Sequence, residues 1–289
     1  MRAFIKHIGL LLLSVVCLLY ILDWVYAKIY YGETPRDKIA WVKNMPETSY
    51  DYAIFGSSRC IHFIQPKVIE QNTSLKGLNL ACISSGPLEI KLMVNEFLKK
   101  HQAKHIYIQI DYSHNDEEPN YLGRVAWMPY IVEESIYNQF KPYGREYWNY
   151  NHIPFYRFQK FGPKIGVRNT ALSIVGKEGH FIKSYGFTPQ YGIMDPSNEA
   201  IIWQIENKKN KHLQEVLSLC KKKNIAVSFF TSPVYNNKTD LSILNTLLPN
   251  YSDLSNSVSD IQFFKDNTHL NSEGSLEFTN VFIDTYLKQ

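Results

Sequence analysis

Cysteine is scarce in this chain: Cys17, Cys60, Cys82 and Cys220 are the four, and no two form a CxxC pair. That excludes a disulfide-stapled scaffold and the usual zinc-knuckle spacing. Excess charge is scarce too, since 31 Lys and Arg against 27 Asp and Glu leave a formal +4. A nucleic-acid binder wants a concentrated basic stripe, so no nucleic-acid partner is expected. No internal repeat or low-complexity stretch is present, which removes repeat arrays from consideration. What is there is 289 residues, 45% apolar and 20% charged. Such a chain can bury an ordinary core, in one large domain or two small ones, without metal or disulfide support.

One long uncharged run stands at the N-terminus. Arg2 and Lys6 precede residues 8–22, which carry no charge, and after Asp23 the run continues from Trp24 to Ala27. Residues 8–27 make about 30 Å of helix at ~1.5 Å per residue, the thickness of a bilayer core. Asp23 is placed near the far interface, within reach of headgroup water. Trp24, Tyr26, Tyr30 and Tyr31 suit an interfacial aromatic belt. The expectation is a signal anchor in residues 1–31, and the short basic head favours a cytoplasmic N-terminus and an extracytoplasmic body. A signal peptide cleaved after Val25-Tyr26-Ala27 and a buried amphipathic helix are the alternatives. Val15 and Val16 before Cys17 are too bulky for a lipoprotein signal.

Residues 32–49 read as a linker with a short helix at 36–44. Strands are predicted at 52–55, closed by Gly56-Ser57-Ser58, and at 77–83, ending in Ser84-Ser85-Gly86-Pro87. Pro87 opens a helix whose apolar face uses Ile90, Val94, Phe97 and Leu98. A third strand at 105–111 runs into Tyr112-Ser113-His114-Asn115-Asp116. A long amphipathic helix follows at 200–223, with Ile201, Ile205, Leu213, Val216, Leu217 and Cys220 on its apolar face. The remaining elements are strands at 225–231 and 260–264, then a closing helix at 274–287 with Leu276, Val281, Phe282 and Tyr286 inward. This alternation predicts an α/β fold over residues 50–289, a three-layer α/β/α domain with a parallel sheet. The polar clusters that follow the strands should meet on one rim.

Residues 119–200 break the alternation, and 18 of the 41 aromatic residues fall within 119–203. The expectation is an insertion that caps the rim. Its rings either form a small core of their own or, in part, line a sugar-binding groove.

Two clusters suggest chemistry. Ser58 sits at a strand-to-helix turn, where unpaired backbone N–H groups can hold an oxyanion, or where a serine serves as a helix cap. Asp266 and His269, three apart, can share one side of a turn. The carboxylate then fixes the imidazole tautomer and leaves the other nitrogen to take a serine proton. A solvated loop histidine is the plainer alternative.

In combination these residues resemble the SGNH/GDSL-type serine hydrolases and their extracytoplasmic acyl-handling relatives, over most of 50–116 and 200–289. The first family block resembles Gly56-Ser57-Ser58, the second carries Gly86, the third resembles Ser113-His114-Asn115-Asp116, and the last matches Asp266 and His269. Ser57 stands where the family usually has Asp, and Ser113 where it has Gly. The resemblance implies a three-layer, flavodoxin-like fold and a serine mechanism: Ser58 as nucleophile, His269 as base, Asp266 as its orienter. Ser58 and Gly86 N–H groups with Asn115 would form the oxyanion hole. It further implies a membrane-anchored esterase or O-acyltransferase acting on acetyl-type esters of a cell-surface glycan or envelope lipid, without cofactor, and with a membrane-bound acyltransferase as a partner. A non-catalytic relative that binds a glycan or partner is the alternative. An envelope-assembly scaffold, with the aromatic block as protein interface, is a third reading.

Arg59 and His114 are candidate substrate contacts, Arg59 for an anionic group. His62 reads as a surface helix residue, and His101 and His105 as solvated. His152 and His180 lack a carboxylate partner at metal spacing, so no metal is expected. Cys60 and Cys82 flank neighbouring clusters and are either free thiols or a disulfide.

Overall fold

The computed structural model describes residues 1–196 and 200–288, with backbone alone for Pro163, Lys164, Val167 and Thr170. The chain divides into two compact units. One comprises Met45–Gly123 and His180–Gln289, the other Met1–Asn44 and Arg124–Gly179.

The first unit is α/β. Strands β1 (Ser49–Phe55), β2 (Gly77–Asn79), β3 (Gln102–Gln109), β4 (Ala226–Thr231) and β5 (Tyr251–Asp253) form one sheet in the order β2-β1-β3-β4-β5. Every neighbouring pair is parallel. Residues 52–55 are buried without alternation, as expected of a strand covered on both faces. Pleating sends Ile54, Tyr107 and Phe230 to one face, against Phe278 and Phe282 of the closing helix Ser272–Tyr286. It sends Phe55 to the other, where the Phe97 ring of helix Pro87–Lys100 lies 5.9 Å away. That helix starts where predicted, with Gly86 as N-cap and Pro87 in its first turn. β1 feeds β2 on one side and lies against β3 on the other, so the chain reverses direction across the sheet between β1 and β3. A crevice opens above such a reversal at the carboxyl ends of the strands.

Three predicted elements differ. The fifth strand of the sheet is Tyr251–Asp253, an edge strand too short and polar to signal itself. The predicted 260–264 strand is instead a 3-10 turn, Ile261–Phe263, followed by β6 (Phe264–Asp266). β6 pairs antiparallel with β7 (His269–Leu270) in a separate ribbon. The helix expected at 200–223 covers only Lys211–Lys222. Asn210 starts it by accepting the N–H groups of His212 and Leu213 at 3.0 and 3.3 Å. Upstream the chain is irregular: Trp203 N–H donates to Thr239 Oγ1 at 2.9 Å and Ile202 is exposed. The strand expected at 77–83 stops at Asn79, whose buried amide donates to the carbonyls of Cys60 and Ile64 at 2.8 and 3.1 Å. On the closing helix, Leu276 is exposed and Phe278 takes the inward place.

In the second unit, the N-terminal helix Arg2–Tyr30 is long and apolar enough to cross a membrane. Its last turns are packed. Asp23 accepts two hydrogen bonds from Arg157, at 2.7 and 2.8 Å, and one from Phe155 N–H at 2.6 Å. Asp23 therefore faces a buried guanidinium rather than headgroup water, and the Arg157 side chain is 2% exposed. Tyr26 meets Phe155 at 5.1 Å and Tyr30 meets Tyr130 at 6.1 Å, so neither is available to a membrane-facing belt. The stretch read as a linker, 32–49, holds the boundary between the two units at residues 44 and 45 and carries the expected short helix as Lys38–Asn44, which is largely buried, with Asp37 accepting Ala40 N–H at 2.7 Å. Four α-helices, Glu134–Phe140, Arg145–His152, Tyr156–Ile165 and Val167–Ile174, and the 3-10 segments Gly123–Tyr130 and Lys141–Tyr143 follow in the insertion. Phe140, Tyr147 and Tyr150 pack among themselves there, which accounts for aromatic content in the insertion. The insertion is shorter than predicted, since 119–123 and 180–196 belong to the α/β unit. Residues 197–199, near its predicted end, lie outside the described residues.

Candidate active site

β1 delivers the first functional side chain. After Phe55 the chain turns at Gly56 with φ +157°, and a Cβ there would stand 2.8 Å from Gln109 Cβ. Only glycine fits that approach. Ser57 is the cap of the short helical turn Ser58–Ile61, its Oγ accepting Arg59 N–H at 3.3 Å. The capping role weighed for Ser58 thus falls to Ser57. Ser57 N–H and Oγ–H also donate to Gln109 Oε1, at 3.0 and 2.8 Å. Ser58, at the first position of the turn, keeps its hydroxyl for another partner, and its N–H has no intrahelical acceptor.

That partner comes from the β6–β7 ribbon. Ser58 Oγ lies 2.9 Å from His269 Nε2. His269 Nδ1 lies 3.0 Å from both carboxylate oxygens of Asp266. Asp266 Oδ1 also accepts the N–H groups of Thr268 and His269, each at 2.9 Å, which shapes the turn and aims the ring. Burial alone would raise the Asp266 pKa. Hydrogen bonds from His269 and Thr268 outweigh it and hold the carboxyl at about 2. An ionised Asp266 fixes the proton on Nδ1, which leaves Nε2 as the acceptor facing Ser58.

Beneath this row lies a buried polar network that the sequence did not announce. Arg59 donates to Asp111 Oδ2 at 2.5 Å and to the Ser232 carbonyl at 2.5 Å. Gln109 Nε2 donates to the same Asp111 oxygen at 2.9 Å. Gln109 and Asp111 are two apart at the end of β3 and so point to one side. That spacing was the available signal. Trp203 stacks over the Arg59 guanidinium at 5.1 Å.

A cleft of about 130 Å³ opens over Ser58 and His269, walled by Ser84, Ser85, Asp111, Tyr112, Asp116 and Asn120 among others. Several predicted contacts are elsewhere. Gly86 N–H donates to Glu89 Oε2 at 3.0 Å, closing the start of its helix, and is not a free oxyanion donor. Asn115 is turned away: its amide donates to the Gln204 carbonyl at 2.8 Å and accepts Glu206 N–H at 2.9 Å. His114 is buried, with Nε2 2.9 Å from the Lys208 carbonyl, so it pins a loop instead of reaching the cleft. Arg59 does reach the cleft, but its charge is already met by Asp111, so it is a poor receptor for an anionic substrate. His62 is buried with Nδ1 2.7 Å from the Thr188 carbonyl, and His101 is buried, neither being the surface residue expected.

Asn120, and not Asn115, is among the residues that line the cleft. Its Oδ1 accepts the N–H groups of Leu122 and Gly123 at 2.9 and 3.1 Å, and its own N–H donates to Glu89 Oε1 at 2.8 Å. With the oxygen spent, the Nδ2 donors are the amide's free end, on a residue that lines the cleft. No sequence signal pointed to it, since it lies outside every strand-end cluster.

Among the described residues no group of three or more His, Cys, Asp or Glu side chains is placed to hold a metal. None of the four cysteines is in a disulfide; Cys60 is buried and Cys82 half-buried. No known family model matches the chain, and no curated protein matches it.

Proposed function

We propose that this protein is a membrane-anchored serine esterase or O-acyltransferase of SGNH type, acting on acetyl-sized esters of a cell-surface glycan or envelope component. The observation that carries the reading is the continuous row Ser58 Oγ, His269 Nε2, His269 Nδ1, Asp266, with separations of 2.9 and 3.0 Å. A hydroxyl, a tautomer-fixed imidazole and an ionised carboxylate in that order are what nucleophilic acyl transfer requires.

In this reading Ser58 Oγ attacks the ester carbonyl while His269 Nε2 takes its proton. Ser58 N–H and Asn120 Nδ2 stabilise the oxyanion. His269 then protonates the leaving alcohol, and the acyl group stays on Ser58. Water or an acceptor hydroxyl, deprotonated by His269, releases it. The first acceptor makes the protein an esterase, the second an O-acyltransferase. The N-terminal helix supports attachment to a membrane, with the short basic head favouring a cytoplasmic N-terminus.

A second reading has its own support. Gly86 N–H is spent on Glu89 and Asn115 on residues 204–206, so two of the expected oxyanion donors are occupied. A non-catalytic relative that assists a membrane-bound acyltransferase would tolerate this. A fluorophosphonate probe separates the two. Stoichiometric labelling of wild type that vanishes in Ser58→Ala is expected of the enzyme. Absence of labelling in folded wild type favours the accessory protein.

A further inference from the structure

Asp23 lies four residues short of Ala27, where the apolar run of the N-terminal helix ends, so it sits about 6 Å inside that run along the helix axis. Among the described residues, none in the most apolar window of this helix is buried, which leaves its sides open to acyl chains. A carboxylate at such a depth is costly unless a partner comes with it. The partner is Arg157, which stands just after the turn at 153–155 that joins helices Arg145–His152 and Tyr156–Ile165.

The second of these helices climbs beside the N-terminal one. At its start, Phe155 N–H and Arg157 reach Asp23. The Phe158 ring then lies 5.4 Å from that of Tyr26 and 6.1 Å from that of Tyr30. At its end, the Ile165 carbonyl accepts the Tyr30 hydroxyl. The start of this helix, and the turn before it, therefore stand level with Asp23, inside the apolar run. What they show outward is apolar. Ile153 is exposed, and so is Trp148 on the preceding helix. The Trp148 ring stacks on His152 with centroids 4.6 Å apart, which holds the indole at the end of its helix, beside the turn. Cations stand nearer the exit from the run. Lys28 Nζ lies 4.6 Å over the Trp24 ring, and Lys160, three residues beyond Arg157, is exposed. Apolar side chains and an indole at depth, with lysines above them, follow the order of acyl chains, interface and headgroups.

We propose that the turn at 153–155, with Trp148, is seated in the interfacial layer of the bilayer that the N-terminal helix crosses, as a second membrane contact beside the anchor. The inference rests on the reading of that helix as a membrane anchor, and every residue in it belongs to the same compact unit. Arg157 then serves the anchor directly: it carries the counter-charge of Asp23 to the depth at which the carboxylate lies. The insertion is in this respect a membrane-seated element, and its exposed apolar tip has the lipid surface as its partner.

The test reads depth by contact quenching. Full-length protein is reconstituted into phosphatidylcholine vesicles whose acyl chains carry bromine either just below the headgroups or near the chain ends, with unbrominated vesicles as reference. Subtracting the emission of Trp148→Phe from that of wild type isolates Trp148, and Trp24→Phe isolates Trp24 in the same way. The Trp148 component should lose most of its intensity to shallow bromine and less to deep bromine. Ile153→Asp, which places a charge on the turn, should restore most of that intensity while Trp24 stays quenched. A quenched Trp24 with an unaffected Trp148 overturns the proposal and leaves the anchor standing, and the tip then faces solvent or a protein. Trp148 quenching that survives Ile153→Asp also overturns it, because the contact is then not made through the turn. If neither tryptophan is quenched, the anchor reading fails and the proposal fails with it.

Discussion

Ser58 Oγ and His269 Nε2 stand 2.9 Å apart, although 211 positions separate them in the chain. Neither residue is held by the other. Ser58 is set by the turn after β1 and by Gln109 beneath Ser57. His269 is set by Asp266, which binds both its ring and its backbone. Two independently built supports that converge on hydrogen-bond distance make the contact consequential for chemistry.

Replacing Asp266 with Asn should keep the ring near its place but lose the fixed tautomer. Turnover of p-nitrophenyl acetate should fall by roughly 10³-fold or more, towards the level of Ser58→Ala. The same carboxylate gives a stability signature. Its folded pKa of about 2 lies below the ordinary 3.8, so its contribution is present above pH 4 and lost as pH falls through 2. Acid titration of wild type and Asp266→Asn by circular dichroism should differ in that window.

The two asparagines separate the oxyanion assignments. Asn120→Ala should lower turnover roughly 10²-fold with little change in KM, the loss typical of one oxyanion donor. Asn115→Ala should alter turnover by no more than a few-fold, since that side chain only ties down residues 204–206. Equal effects from the two variants would sink the assignment to Asn120.

Glu89 ties both walls of the cleft, through Gly86 N–H and Asn120 N–H, while nearly fully buried. Burial pushes its pKa up from 4.5 to about 7. The folded state thus holds a proton that the unfolded state has released, and stability falls as pH rises from about 4.5 to about 7, by on the order of 2–3 kcal/mol. Asp37, raised by burial to about 6, acts in the same direction at lower pH. The interval from pH 6 to 7 therefore reports chiefly on Glu89. Thermal midpoints across it should decline in wild type and stay level in Glu89→Gln, whatever the variant's absolute stability.

The pairing of Asp23 with Arg157 predicts that the N-terminal helix is retained. Cleavage after Ala27 would remove Asp23 and Tyr26, leaving a buried guanidinium without its counter-charge, a loss of about 3–5 kcal/mol. Intact-mass measurement of membrane-extracted protein should find residues 1–27 present. Asp23→Ala should lower the thermal midpoint by several degrees, whereas Asp23→Ala combined with Arg157→Leu should recover much of the loss.

Much of the α/β unit was legible from local pattern. Parallel strands buried on both faces write themselves as short runs rich in apolar residues, so 52–55, 105–111 and 225–231 were found with boundaries off by a few residues. Pro87 and its lysine-ended helix were equally plain. The polar edge strand Tyr251–Asp253 left no such trace. Asn210 could not be told from any other polar residue in a helical stretch until its side chain was seen to cap one. For the site, Ser58 and the Asp266–His269 pair were each legible as turn residues because those clusters are local, while their pairing across 211 positions rested on the resemblance to the serine hydrolases. That the Gly86 N–H and the Asn115 amide, read as oxyanion donors, are already engaged was not legible, because donor availability depends on who else is nearby. Gly86 loses its N–H to Glu89, and Asn115 loses its amide to residues 204–206.

The chain's order of residues, taken by itself, determined the alternation of strands and helices, the apolar N-terminal helix and the polar turns at the strand ends, since these follow from hydrogen bonding and burial within short windows. Only the tertiary structure decided which of those turns meet, that Asp23 finds Arg157 and that Asn120 rather than Asn115 lines the cleft with Ser58. Those outcomes depend on pairings across tens to hundreds of residues, where the free energy of a contact is set by every neighbour that competes for the same donor or the same space.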